Sequence, residues 1–205
     1  MSSRAGGLAP PPFGRKLIVM FRLVRIAAVA AVVLLVAAPG LRADQTDPAL
    51  NGLFDRLKMA DNVDDAQEVA DKIWQIWLES GKELVDSAMV HGIVAMHNGA
   101  YDTALKYFED VTSLDPKMAE GWNKKATVLY LMGRYPESIL AIERTLTLEP
   151  RHFGALSGLG LIYMQTGKKK AAIAVMEKAL KINPFMPPIQ ADLRELKAEV
   201  EGKGI

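Results

Sequence analysis

The chain of 205 residues contains no cysteine. This absence excludes disulfide bonds, thiolate metal sites, cysteine nucleophiles and lipid attachment through a cysteine side chain. Acidic residues are missing from residues 1–43, which hold six of the 25 basic residues. The rest of the chain therefore has 19 basic and 24 acidic residues, a net charge of −5. Because a mildly acidic surface attracts phosphate backbones weakly, we expect no nucleic-acid partner.

The chain also lacks an apolar run long enough to cross a bilayer. The clearest run, residues 26–38, has 13 residues, which rise about 20 Å as a helix against roughly 30 Å of hydrocarbon. Arg22 and Arg25 precede the run, and Pro39, Gly40 and the small residue Ala43 follow it. A positive region, a short apolar region and a small-residue site are typical of a secretory signal. We expect residues 1–43 to be a signal peptide, the mature chain to begin at Asp44, and the protein to be exported to the periplasm.

Two points about this segment stay open. The region before the apolar run is long, so the true start could be Met20, which opens a more typical signal. The segment could also stay uncleaved, because Leu41 extends the apolar run and occupies the position where alanine is usual. In that case the protein is anchored in the inner membrane by an N-terminal helix. Otherwise its contact with a membrane is transient.

Glycine and proline residues that end helices recur at a fixed spacing of 34 residues between positions 99 and 184. Gly99, Gly133 and Gly167 are 34 residues apart, and so are Pro116, Pro150 and Pro184. Glycine closes a helix by adopting a left-handed conformation, and proline stops the following helix. A 34-residue period with these landmarks is typical of a helix–turn–helix repeat. The spacing predicts three repeats at 85–118, 119–152 and 153–186.

The repeats resemble the tetratricopeptide repeat (TPR) family, whose pattern alternates large residues with small ones. The matching residues are Gly92, Ala104, Phe108 and Pro116 in the first repeat; Trp122, Ala126, Leu129, Ser138, Ile142, Thr145 and Pro150 in the second; and Leu159, Gly160, Tyr163, Ala172, Ala179 and Pro184 in the third. Lys125 departs from the pattern where leucine is expected. The resemblance implies an all-α, right-handed solenoid of helical hairpins. More narrowly, the chain resembles exported bacterial TPR proteins of unassigned chemistry.

Helical patterns continue on both sides of the three repeats. Residues 44–84 read as a degenerate leading hairpin, since Phe54, Leu57, Ala70 and Trp74 fall at the packing positions of the later repeats when counted back by 34. Trp74 and Trp77 indicate core packing rather than a ligand platform. In residues 187–205, Ile189, Leu193, Leu196 and Val200 form one apolar stripe opposite charged residues. One polar face suits a C-terminal capping helix.

The family resemblance implies that the first helices of successive repeats line a concave groove. The groove positions that could bind a partner are Met59, Met89, Ile93, Met96, Asn123, Thr127, Tyr130, Ser157, Leu161 and Met164. The groove surface is mixed, with several methionines and few charges. Because methionine adapts to irregular apolar partners, we expect an extended or helical peptide with apolar anchors. The alternative is that the methionines pack beneath neighbouring helices or against the capping helix.

No pattern indicates catalysis or a cofactor. His91, His97 and His152 are too far apart in register to share a helix face, so we expect no metal site. Family members that clamp acidic chaperone tails use Lys and Asn where Met89 and Ile93 stand here, which disfavours that ligand. We therefore expect a non-catalytic interaction scaffold or adaptor in the bacterial cell envelope. The alternative is a structural subunit of a self-assembled or membrane-anchored envelope complex. The partner and the oligomeric state stay open.

Overall fold

A computed structural model describes residues 44–202, and the expected signal segment at residues 1–43 lies outside the described residues. Within that range the chain forms nine α-helices and no strand. They are α1 (Ala49–Lys58), α2 (Val63–Leu78), α3 (Glu83–His97), α4 (Tyr101–Leu114), α5 (Ala119–Leu131), α6 (Tyr135–Leu148), α7 (Phe153–Gln165), α8 (Lys169–Ile182) and α9 (Pro187–Val200). The expected all-α fold class is confirmed. None of these helices is long and apolar enough to span a membrane.

Three hairpins stack in order: α3 with α4, α5 with α6, and α7 with α8. Each closes at the expected turn glycine, as Gly99 shows with φ +73°. Its N–H donates to the carbonyl of Met96 at 3.1 Å, and the N–H of Ala100 donates to the carbonyl of Ala95 at 2.9 Å. These two bonds form a Schellman motif, which requires the left-handed conformation that glycine adopts without strain. Gly133 and Gly167 repeat the geometry with φ +73° and +72°.

Small residues set how closely the two helices of a hairpin approach. A Cβ added at Gly92 would lie 2.6 Å from the ring of Phe108, and one added at Gly160 would lie 2.7 Å from Cγ of Met176. Side chains at these glycines would separate the paired helices, because protein interiors are close-packed. After the last hairpin, α9 buries Ile189, Leu193 and Leu196. The expected capping helix is therefore present.

The leading hairpin forms as expected, but it does not extend the stack as a first repeat. Its helices α1 and α2 pack against each other, α2 packs against α5, and α1 packs against α8. Phe153 at the start of α7 is buried in the same apolar cluster as Phe54 and Trp77. A hairpin that continued the 34-residue register would pack in front of α3, whereas these contacts lie on α5, α7 and α8. Residues 79–82 form a short non-helical link in which Gly81 has φ +68°. This link reverses the direction of the chain, so that the leading hairpin contacts α5 and α8.

Polar contacts hold the hairpin in this place. Nη1 of Arg151 donates to Oδ1 of Asn51 at 2.9 Å, and the same guanidinium lies 4.3 Å from the ring centroid of Phe54. Before α1, Nε2 of Gln45 donates to the carbonyl of Lys117 at 2.7 Å. The N–H of Ala119 donates back to Oε1 of Gln45 at 3.0 Å. The chain is thereby fixed to the loops that precede α5 and α7.

Candidate functional site

A cavity of about 280 Å³ opens between α5, α6 and α7. The lining residues on α5 and α7 recur at intervals of three or four, at positions 123, 126/127 and 130/131 and at positions 154, 157/158 and 161/162, a spacing that puts them on one helix face. The lining residues carry no formal charge, and they are Asn123, Ala126, Thr127, Tyr130, Leu131, Ser138, Ile142, Gly154, Ala155, Ser157, Gly158, Leu161 and Ile162. The cavity exists because most of them are small. It is therefore a neutral recess with an apolar floor.

The serine and threonine hydroxyl groups around this cavity donate to the protein backbone. Thr127 donates to the carbonyl of Asn123 at 2.9 Å, Ser157 to that of Phe153 at 2.7 Å, and Ser138 to that of Ala126 at 2.7 Å. Their donor hydrogens are thus used within the fold. A ligand would find hydrocarbon surface, the ring of Tyr130 and a few oxygen acceptors. This chemistry favours an uncharged, mainly apolar group.

Half of the ten groove residues expected from the sequence come together here. Asn123, Thr127, Tyr130, Ser157 and Leu161 line the cavity. Their contact with a partner stays a prediction, and the geometry only places them around one recess.

The other five residues lie elsewhere. Met89 is only 2% exposed and belongs to the core, so it cannot present a groove surface. Ile93 and Met96 are half-buried against the same core. Met164 packs in the cluster under α9. Met59 is 72% exposed at the end of α1, away from the cavity lining. The alternative of packing beneath neighbouring helices thus describes Met89, and packing against the capping helix describes Met164.

A buried acid–imidazole pair is hydrogen-bonded to two lining residues of the cavity, Asn123 and Ala155. Nε2 of His152 is 2.8 Å from Oε2 of Glu120, and both side chains are fully buried. Nδ1 of His152 accepts a hydrogen bond from the N–H of Ala155 at 3.1 Å, which caps α7. Since Nδ1 is an acceptor, the imidazole hydrogen is on Nε2, and this Nε2–H group donates a hydrogen bond to Glu120. Nδ2 of Asn123 donates to the same carboxylate oxygen at 3.0 Å.

The carboxylate of Glu120 is held in its charged form. Burial raises its pKa, but the ammonium of Lys124 and the hydrogen bond from His152 lower it by more, so the pKa falls below the ordinary value of 4.5. Nζ of Lys124 lies 3.1 Å from Oε1, and the lysine side chain is partly exposed. The pair therefore joins α5 to the start of α7 through a buried, neutralised charge.

Aromatic rings from α2 cover this pair. The ring of Trp77 stacks on His152 with centroids 4.1 Å apart and planes 13° apart. Trp74 meets His152 edge-on at 5.4 Å, and Nζ of Lys124 lies 5.6 Å from the Trp74 ring centroid. A Cβ added at Gly154 would lie 2.5 Å from Trp74, so α2 touches the backbone of α7 directly. Core packing of the two tryptophans, as expected, is what the structure shows.

A carboxylate beside an imidazole is also part of many catalytic sites, but this pair has no access to a substrate. Both side chains are fully buried, Trp77 stacks on the imidazole, and no serine or threonine hydroxyl is bonded to the imidazole among residues 44–202. The same described residues contain no group of three His, Asp or Glu side chains placed to hold a metal ion. The pair is thus a packing and charge contact. Sequence reasoning missed it because Glu120 and His152 are 32 positions apart, and only the stacking of two repeats brings them together.

Comparisons with known proteins agree with this architecture. The tetratricopeptide repeat family model matches residues 89–146 and 124–187. A TPR repeat-containing protein of Rhizobium etli is 33% identical over 153 residues, which are 75% of each chain. The chain belongs to the tetratricopeptide repeat family. The Hsp70-Hsp90 organizing protein of Triticum aestivum is 26% identical over 114 residues, 56% of this chain but only 20% of that protein.

Among solved structures, the first TPR of Spaghetti (RPAP3) bound to the HSP90 peptide SRMEEVD has a TM-score of 0.56. It is 16% identical and covers 58% of this chain and 94% of that one. Such a likeness shows the fold alone. Family membership makes this chain an interaction-type scaffold of helical hairpins, the coarse class that the sequence predicts.

Proposed function

We propose that this protein is a non-catalytic adaptor that binds a peptide segment of a partner protein in the recess between α5, α6 and α7. The observation that carries the proposal is the uncharged lining of the cavity, set among the groove residues of two successive repeats. In support, the structure of Spaghetti (RPAP3) is of a TPR domain with a peptide bound. That peptide contains three acidic residues, whereas the recess here offers no cation.

The ligand we propose is a peptide with one large apolar side chain as its anchor. The cavity volume of about 280 Å³ accommodates a single leucine, methionine or phenylalanine side chain. Tyr130 and Leu161 both line the recess and are only partly buried, so a ligand could contact their side chains. Because the lining has no charge to neutralise, an acidic peptide terminus gains nothing there and loses its hydration.

A random peptide library presented to the purified protein tests the proposal. We expect enriched peptides to share an apolar anchor and to show no preference for carboxylates. Leu161→Glu should weaken the selected peptide at least tenfold, because it places a carboxylate in an apolar recess. Met59→Glu is the matched control, since Met59 is also an expected groove residue but stands apart. Equal weakening by both variants, or enrichment of acidic peptides, would refute the groove as the site.

We further propose that the adaptor works in the bacterial cell envelope after export, with residues 1–43 as the signal. The layout of a positive region, a short apolar run and a small-residue site supports this. An alkaline phosphatase fusion after Asp47 would be active only outside the cytoplasm. N-terminal sequencing of the exported protein should begin at Asp44. An inactive fusion would contradict export, and an intact N-terminus on membranes would mean an anchor instead.

A further inference from the structure

The side chain of Asn123 is nearly enclosed, yet one of its two polar atoms has no partner. Asn123 is 7% exposed and lines the recess between α5, α6 and α7. Its Nδ2 donates to Oε2 of Glu120 at 3.0 Å, whereas its Oδ1 accepts no hydrogen bond from any residue between 44 and 202. The described side-chain atoms that are fully buried without a partner are Nε1 of Trp77 and Oε1 of Glu120. Since Oδ1 of Asn123 is not one of them, it is open to the space that Asn123 lines.

Glu120 decides which atom of the Asn123 amide is left without a bond. An asparagine amide can turn over in place, because its oxygen and its nitrogen have nearly the same size. The carboxylate of Glu120 accepts the Nε2–H of His152 at 2.8 Å and lies 3.1 Å from Nζ of Lys124. An ionised carboxylate only accepts hydrogen bonds, so it attracts the amide nitrogen of Asn123 and repels the oxygen. The recess is therefore left with the oxygen, which is an acceptor.

The other polar side chains of the lining do not offset this acceptor. The hydroxyl groups of Thr127, Ser138 and Ser157 donate to backbone carbonyls, so towards a ligand their oxygens only accept. The hydroxyl of Tyr130 has no partner among the described residues and can donate or accept. The side chains around the recess thus offer more acceptors than donors.

We propose that the recess selects a peptide unit whose N–H lies beside the apolar anchor, and that Oδ1 of Asn123 accepts this N–H. The inference rests on the proposed function, since it requires a peptide in the recess. Asn123 is the residue that determines specificity, and Glu120 is a positioning residue that fixes the orientation of its amide. An ester oxygen or a carboxylate in the place of the N–H would set two acceptors against each other with no hydrogen between them.

Short neutral probes test this selection. N-acetyl-leucine N-methylamide has one leucine side chain and two backbone N–H groups, and in each of two ester analogues an oxygen replaces one N–H. Titration of the purified protein, followed by NMR chemical shifts, gives the dissociation constants. We expect one ester to bind about tenfold more weakly than the amide, because a hydrogen bond is replaced by repulsion between two acceptors. Glu137→Gln makes the same change as Glu120→Gln at an exposed carboxylate outside the recess, and this matched control should keep the tenfold difference.

Glu120→Gln should remove the difference between the amide and ester probes. The new side-chain amide can accept from His152 and donate to Oδ1 of Asn123, which turns the nitrogen of Asn123 towards the recess. The probes should then bind within about twofold of one another. Asn123→Leu should also remove the difference, because it takes the oxygen away. A merely structural effect of either variant would weaken all the probes by one factor and keep the difference.

The outcomes separate this selection from the function on which it rests. If the leucine probe binds no better than N-acetyl-glycine N-methylamide, or if Leu161→Glu does not weaken it, the recess is not an apolar site and both proposals fall. If the leucine probe binds there but both esters bind as well as the amide, the selection by Asn123 alone is refuted. A difference that survives Asn123→Leu, or that disappears only in Thr127→Val, would also refute it. Circular dichroism should show equal helix content in all these variants.

Discussion

The Nε2–H group of His152 donates a hydrogen bond to Oε2 of Glu120 across 2.8 Å, and both side chains are fully buried. This contact links α5 to the start of α7, and Trp77 of α2 stacks on it. Three separate parts of the chain thus meet at one pair of side chains. Several predictions about stability rest on this contact, because a buried donor or charge that loses its partner keeps its full desolvation cost.

Removing the carboxylate should destabilise the fold strongly. Glu120→Ala leaves the Nε2–H of His152 and the amide of Asn123 without an acceptor, so we expect a loss of about 3–5 kcal/mol in the free energy of unfolding. Glu120→Gln keeps an acceptor and should cost about 1–2 kcal/mol. Urea denaturation measures both. Glu137→Ala, an exposed carboxylate paired with Arg134, is the control and should change stability by less than about 1 kcal/mol. A loss at Glu120→Ala no larger than that of the control would contradict the assigned role.

Acid should remove the contribution of Glu120 to the free energy of unfolding. Its pKa in the folded protein lies below the ordinary value of 4.5, because the effects of Lys124 and His152 outweigh burial. The carboxylate therefore stabilises the fold above about pH 4.5, and this contribution fades as the pH falls through the lowered pKa. The stability gap between wild type and Glu120→Gln should shrink between pH 6 and roughly pH 3.

Other carboxyl groups with lowered pKa values do not affect the stability difference between wild type and Glu120→Gln. Glu68, Glu137 and Glu177 also have lowered pKa values, each through a lysine or arginine partner, but they are present in both proteins. Their titration cancels in the difference. A gap that stays constant or widens in acid would show that Glu120 is not ionised in the folded protein.

Two glycines on α7 should respond oppositely to the same substitution. Gly154→Ala places a methyl group 2.5 Å from the ring of Trp74 and should cost about 1–3 kcal/mol by pushing α2 away. At Gly158 the nearest atom is Cδ1 of Ile142 at 3.8 Å, an ordinary contact. Gly158→Ala should therefore be neutral or stabilise by up to about 1 kcal/mol, since alanine favours the helix interior.

For these two glycine variants, hydrogen exchange distinguishes local destabilisation from global destabilisation. With Gly154→Ala, amides of α1 and α2 should exchange faster while those of α4 keep their protection. With Gly158→Ala, no segment should exchange faster. Faster exchange spread evenly over all the repeats would argue against a separate docking contact at Trp74.

Substitutions at Trp77 should separate ring packing from hydrogen bonding. Its Nε1 has no hydrogen-bond partner among the described residues, so Trp77→Phe loses hydrocarbon and stacking contacts but no hydrogen bond. We expect the free energy of unfolding to fall by about 1–2 kcal/mol for Trp77→Phe and by about 3–5 kcal/mol for Trp77→Ala. Thermal unfolding checks the order. A Phe variant as unstable as the Ala variant would mean that the indole nitrogen has a partner after all.

The sequence by itself determined the repeat array. Glycines and prolines at a spacing of 34 mark where helices end because these residues limit the backbone locally, whatever surrounds them. Large and small residues at the repeat positions then predict the hairpin packing, as Gly92 against Phe108 shows. That Asn123, Thr127 and Tyr130 of α5 share a cavity lining with Ser157 and Leu161 of α7 was also predictable, since one repeat sets the direction of the side chains in the next, whereas their contact with a partner stays a prediction.

Only the tertiary structure decided where the leading hairpin lies. Its register matches a repeat, and local patterns would place it before α3, but Trp74 and Trp77 pack on His152, Phe153 and Gly154 instead. This choice buries Glu120 with His152 and leaves Leu84 and Val94 exposed. These outcomes depend on contacts between residues that are far apart in the chain. Local sequence patterns do not show which of the possible long-range contacts gives the lower free energy.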